Sequence, residues 1–139
     1  MAVDFLNILP TKKNLFPYTI EILEYLKNKN YNLHLITNGF EAVQFKKISN
    51  SNIQIFFQEV ITSESSNSLK PNKEIFDFAL QKARANVYES MMIGDNVEAD
   101  IQGGINAGMD TVFVNHLNIK TDVQPTFSVT HLQQIENIL

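Results

Sequence analysis

Four short strand-like runs punctuate this chain: Leu33 to Ile36, Glu59 to Thr62, Ser90 to Ile93 and Thr111 to Val114. Runs of four residues bounded by Asn, Gly, Ser or Asp suit strands rather than buried helices. The stretches between them have a different period. Pro17 to Lys29 repeats Ile20, Ile22, Leu23 and Leu26 at helical spacing, and Pro71 to Arg84 does the same with Ile75, Phe76, Ala79 and Leu80. Glu41 to Ile48, Val97 to Ala107 and His131 to Leu139 read as further helices, and Gly108 is suited to close the helix before it. Strands alternating with helices predict an α/β fold: one domain over residues 1–139, built on a Rossmann-like parallel sheet with helices on both faces.

In such a sheet ligands bind beyond the carboxyl ends of the strands, so polar residues there are the candidates for function. Gly94-Asp95-Asn96-Val97-Glu98-Ala99-Asp100 follows the third run. Gly94 would let the chain turn, and Asp95 and Asp100 could converge on a Mg²⁺ ion, a hard cation held by carboxylates, water and phosphate oxygens. Read alone, Asp95 serves equally well as a helix cap and Asp100 as part of a solvated face. Thr37, Asn38 and Gly39 follow the first run, where a hydroxyl and main-chain N–H groups could cradle phosphate; an ordinary Asn-Gly turn would look the same. Lys70 precedes Pro71, which could take the first helical position. There it could balance phosphate and carboxylate charge, or be a surface lysine. His34 lies inside an apolar run and reads as packing, whereas His116 and His131 have no ligand-spaced partner.

Composition narrows the class. With 44% hydrophobic and 19% charged residues the chain can bury a core. Its net charge of −4 argues against a nucleic-acid or anionic-membrane partner. No cysteine is present, which excludes thiolate metal sites and fits a reducing cytoplasm. No apolar run reaches the ~20 residues that span a bilayer, and the N-terminus does not resemble a signal peptide.

Taken in order, Leu33–Thr37, Lys70 and Gly94–Asp100 resemble the second, third and fourth motifs of the haloacid dehalogenase superfamily. The wording ITNGF, LKPNKEIFDFAL and MIGDNVEADIQGGINAGM is most similar to its pyrimidine nucleotidase-like branch. The resemblance implies a Mg²⁺-dependent phosphatase acting on a small phosphorylated metabolite such as a nucleoside monophosphate. Thr37 and Lys70 would assist catalysis, Thr37, Asn38, Gly39 and Lys70 would contact phosphate, and Asp95 and Asp100 would serve the metal.

One part of the pattern does not match. The family's first motif, DxDxT, supplies an aspartate nucleophile and an aspartate acid/base, and no such motif occurs in these 139 residues. Val3-Asp4-Phe5-Leu6-Asn7 is the nearest, with Leu6 where the second aspartate should stand. The resemblance makes residues 1–16 the exit of a missing cap and 17–139 the core. It leaves a gap at the central strand, between the runs Leu33–Ile36 and Met91–Ile93. Ala2–Leu9, a strand from a second copy in a homodimer, or direct closure of the two edges could fill it. Two readings follow: part of a phosphatase that is inactive alone, or a non-catalytic remnant that binds Mg²⁺ and phosphate or self-associates.

Overall fold

The computed structural model describes residues 3–7, 16–38, 46 and 53–139. It contains a six-stranded sheet, all parallel, formed by β1 (Val3–Asn7), β2 (Asn32–Thr37), β3 (Glu59–Thr62), β4 (Ser90–Gly94), β5 (Asp110–Val114) and β6 (Phe127–Val129). The spatial order is β3-β2-β1-β4-β5-β6. The chain therefore winds outward from β1 through β2 to β3, then returns to the other side of β1 and winds outward again. The reversal between β1 and β4 opens a crevice at their carboxyl ends, which is where doubly wound sheets bind ligands.

The α/β expectation holds, and of the three ways to complete the sheet the N-terminal segment is the one observed. Val3 pairs with Asn32 and Ser90, and Leu6 with Leu35 and Ile93, so β1 is hydrogen-bonded on both sides. Those pairings satisfy main-chain groups of β2 and β4 that would otherwise be buried without partners, at about 1–3 kcal/mol each. The segment expected to be a cap exit thus contributes a core strand.

Helix α1 (Thr19–Asn28) buries Ile22, Leu23 and Leu26 completely against one face of the sheet, whereas Ile20, expected on the same face, is exposed. Each buried side chain contributes about 1.5–3 kcal/mol relative to exposure. The buried residues share a cluster with Leu33, Leu35, Ile93, Val112 and Val114. Leu132 and Ile135 of a terminal 3₁₀ helix (Leu132–Asn137), inside the stretch His131 to Leu139 expected to be helical, complete it. The Tyr18 hydroxyl donates to Glu136, and that of Tyr25 to the main-chain oxygen of Leu139 at 2.8 Å, latching the C-terminus to α1.

A short helix α2 (Ser63–Ser66) follows β3, capped by Thr62, and α3 (Lys73–Ala83) covers the opposite face with Ile75, Phe76 and Ala79. The stretch after β4 is a π-helical turn (Val97–Gln102) continued by α4 (Gly103–Asn106) rather than one regular helix. It ends as expected at Gly108, whose φ of +90° suits glycine. Strand β6 was not anticipated, because three residues after Pro125 give too short a pattern. The expected helix from Glu41 to Ile48 lies outside the described residues, apart from position 46, and so do Gly39 and Phe40. No helix among the described residues is long and apolar enough to cross a membrane.

Candidate active site

Three connections converge at the carboxyl end of the sheet. Thr37 is the last residue of β2 and is buried, and Asn38 follows it at the surface. Asp95 follows β4 directly and is exposed, while Asp100, from the π-helical turn, is completely buried. Lys70, from the loop ahead of α3, is 4% exposed, so it is not a surface lysine. Pro71 lies ahead of the N-cap residue Asn72 rather than inside the helix, and the Lys70–Pro71 bond is cis.

The buried lysine has one dominant partner. Its ammonium lies 2.5 Å from Asp100 Oδ1 and donates a second hydrogen bond to the Ile36 carbonyl at 3.3 Å. The other carboxylate oxygen, Oδ2, accepts the Asn96 N–H at 3.2 Å. The π-helical turn makes this possible. Asn96 Oδ1 caps the turn by accepting the Ala99 N–H at 2.8 Å, and the Asn96 carbonyl accepts from both Asp100 and Ile101. A widened turn of this kind is frequent at functional sites and here swings position 100 back under the strand end.

Gly94 belongs to the same arrangement, though not as the turn residue it was taken for. It ends a regular strand, and a Cβ there would fall 2.3 Å from Asp100 Oδ2. Glycine is needed because the buried carboxylate packs onto the backbone.

Asp95 is the carboxylate that remains open to solvent. Its pKa is raised, first by partial burial and then by the negative charge of Asp100. Its own main-chain N–H, His116 and Lys70 oppose that shift. A carboxylate crowded by a second one is a place where a cation relieves repulsion, and Mg²⁺ suits it because that ion takes one or two carboxylates and keeps several waters. Among the described residues there is no group of three or more His, Cys, Asp or Glu placed to hold a metal ion.

Sequence reasoning passed over two residues. Asn96 builds the turn that carries Asp100. His116 lies two residues beyond β5, its ring stacked on Phe16 with centroids 4.2 Å apart; burial lowers its pKa, and when protonated it favours the ionised form of Asp95. Its place just past a strand end is the signal that could have singled it out, by the same rule that found Thr37 and Asp95. In β1 the register sets Asn7 beside Gly94, so the residue ending the central strand is an asparagine, and Asp4 lies three residues further back.

Residues 6–114 match the family model described as haloacid dehalogenase-like hydrolase. The chain is 34% identical over 141 residues to the pyrimidine 5'-nucleotidase YjjG of Escherichia coli (strain K12), covering 97% of this chain and 61% of that protein. It is 40% identical over 100 residues to the glyceraldehyde 3-phosphate phosphatase of Methanothermobacter thermautotrophicus, covering 72% of this chain and 44% of that one. The magnesium-bound crystal structure of the HAD-hydrolase YfnB from Bacillus subtilis superposes with a TM-score of 0.83 at 28% identity, over 91% of this chain and 56% of that one. The chain therefore spans about three-fifths or less of the length of these relatives. The match over most of its length, on a sheet of this order with Lys70, Asp95 and Asp100 gathered at the switch point, places the chain in the haloacid dehalogenase-like hydrolase family.

Proposed function

We propose that these residues form the metal- and phosphate-binding part of a Mg²⁺-dependent phosphatase whose substrates are small phosphate monoesters, nucleoside monophosphates foremost. The observation that carries this reading is the buried Lys70–Asp100 pair at the carboxyl end of the sheet, close enough for both charges to act on Asp95. Burying an ammonium costs several kcal/mol unless it is paired, and a sheet that needs only packing has no use for one at its ligand-binding end. In this reading Asp95 holds Mg²⁺, which would screen the phosphate charge and polarise a phosphoryl oxygen. Asp100 supports Asp95 and fixes Lys70. Thr37, with the main chain rather than the side chain of Asn38, contacts phosphoryl oxygens, and Lys70 neutralises them. The preference for nucleotides rests on the similarity to YjjG.

The second reading, a non-catalytic binder of Mg²⁺ and phosphate, is favoured by β1. That strand completes the sheet without any DxDxT motif and ends in Asn7, and a carboxamide is not a nucleophile. The case for strand exchange between two copies rested on open inner edges at β2 and β4, and β1 is bonded to both. Phosphate release from nucleoside 5'-monophosphates with Mg²⁺ distinguishes the readings, measured for the chain alone and with an added peptide that contains DxDxT. Release only with the peptide supports the phosphatase reading. No release in either case, with Mg²⁺ and phosphate still bound, supports the binder.

A further inference from the structure

Asn38 stands next to the phosphate cradle and would ordinarily be assigned to the ligand. Its hydrogen bonds point elsewhere. Asn38 Oδ1 accepts the Lys70 N–H at 2.7 Å, and Asn38 Nδ2 donates to the Lys70 carbonyl at 3.2 Å. Both polar ends of one carboxamide are thus committed to the main chain of a single residue 32 positions away. The arrangement copies a peptide unit pairing with a neighbouring strand, and it fixes which end of the amide is oxygen, since only one orientation satisfies an N–H and a carbonyl together.

We propose that Asn38 is a positioning residue that sets the direction of the Lys70 ammonium by clamping the Lys70 backbone to the end of β2; this rests on the reading of Lys70 as the group that neutralises phosphate. Two residues of one strand end then grip the lysine at both ends: Asn38 holds its main chain, and the Ile36 carbonyl accepts from Nζ at 3.3 Å. Asp100 completes the grip from β4's side of the crevice. Lys70 sits in a loop with no ladder of its own, so without the clamp its backbone would depend on the chain around it. The ammonium would then lose its fixed bearing on the phosphoryl site. The requirement is for a donor and an acceptor together on a short stem, which asparagine meets. Aspartate supplies only the acceptor, and alanine neither.

The test uses the full chain with Asn38→Ala and Asn38→Asp, and two readouts that are scored separately. The first is nuclear magnetic resonance of Lys70: hydrogen exchange of its amide and the resonance of its Nζ group. The second is the affinity for inorganic phosphate in the presence of Mg²⁺. Asn38→Ala is expected to speed exchange of the Lys70 amide about tenfold, to shift the Nζ resonance, and to weaken phosphate binding by a similar factor. Asn38→Asp is expected to keep the amide protected, because it retains the acceptor. Asn38 is exposed, so both variants should fold as the wild type does. Weaker phosphate binding with both Lys70 signals unchanged would make Asn38 a direct ligand and overturn the proposal, as would no change in any readout. If the wild type binds no phosphate, the reading of the site fails while the Lys70 signals still decide the clamp.

Discussion

The carboxylate of Asp100 fills the space that a side chain at position 94 would need, with Oδ2 2.3 Å from where a Cβ of residue 94 would stand. The two positions are bound to each other, since one can be buried only if the other is glycine. Gly94→Ala is accordingly expected to destabilise the protein by about 1–3 kcal/mol through overpacking, and to displace Asp100 from Lys70. Denaturant unfolding measures the first effect, and loss of the Lys70 Nζ signal of the buried pair reports the second.

Removing one member of the buried pair should cost more than removing both. Lys70→Met leaves the Asp100 carboxylate buried beside an apolar chain, and a loss of about 3–5 kcal/mol is expected. Lys70→Met combined with Asp100→Leu removes both charges and should be more stable than Lys70→Met alone. A double-mutant cycle from urea unfolding checks this, and additive losses would show that the pair is not coupled.

His34 predicts a pH dependence. It is fully buried in β2, and burial, aided by the charge of Lys27, lowers its pKa from 6.5 to about 4. A histidine depressed in the folded state takes its proton first in the unfolded chain. Stability is therefore full above about pH 6.5 and falls as pH drops toward 4, by up to about 3 kcal/mol. Carboxylates titrate in the same window, so the measurement is the difference between wild type and His34→Leu. That difference should favour the variant increasingly as the pH is lowered from 7 to 4.

The central place of β1 predicts slow hydrogen exchange of its amides. Strands bonded on both sides open only with much of the sheet. The amides of β1 should be protected to a degree comparable with those of Leu33–Ile36, and exchange as fast as in a free peptide would show that the segment does not occupy the sheet.

Much of the sheet was legible because β2 to β5 are apolar runs whose period differs from that of the helices beside them. The place of β1 was legible only as one of three options, because Val3–Asn7 carries an aspartate within a run of five, and only pairing with both neighbours shows where it belongs. At the site, Asp95 and Thr37 could be found by their places after strands. The burial of Lys70 could not, since nothing local distinguishes a lysine paired 30 residues away from one in water. Gly94 was read as a turn because the contact that requires glycine is made by a side chain six positions on. Asn38 was read as a phosphate ligand from its place after Thr37, and the bonds of its amide to Lys70 were not legible because they join positions 32 apart.

The measurement that bears most directly on the site is calorimetric titration of Mg²⁺, in the presence of inorganic phosphate, into the wild type and Asp95→Asn. The wild type should bind one ion, and the variant should bind at least about tenfold more weakly, since a neutral amide replaces the charged ligand that Mg²⁺ prefers. Equal affinities would contradict the assignment of Asp95 to the metal and, with it, the reading of this sheet end as a Mg²⁺-dependent phosphate site.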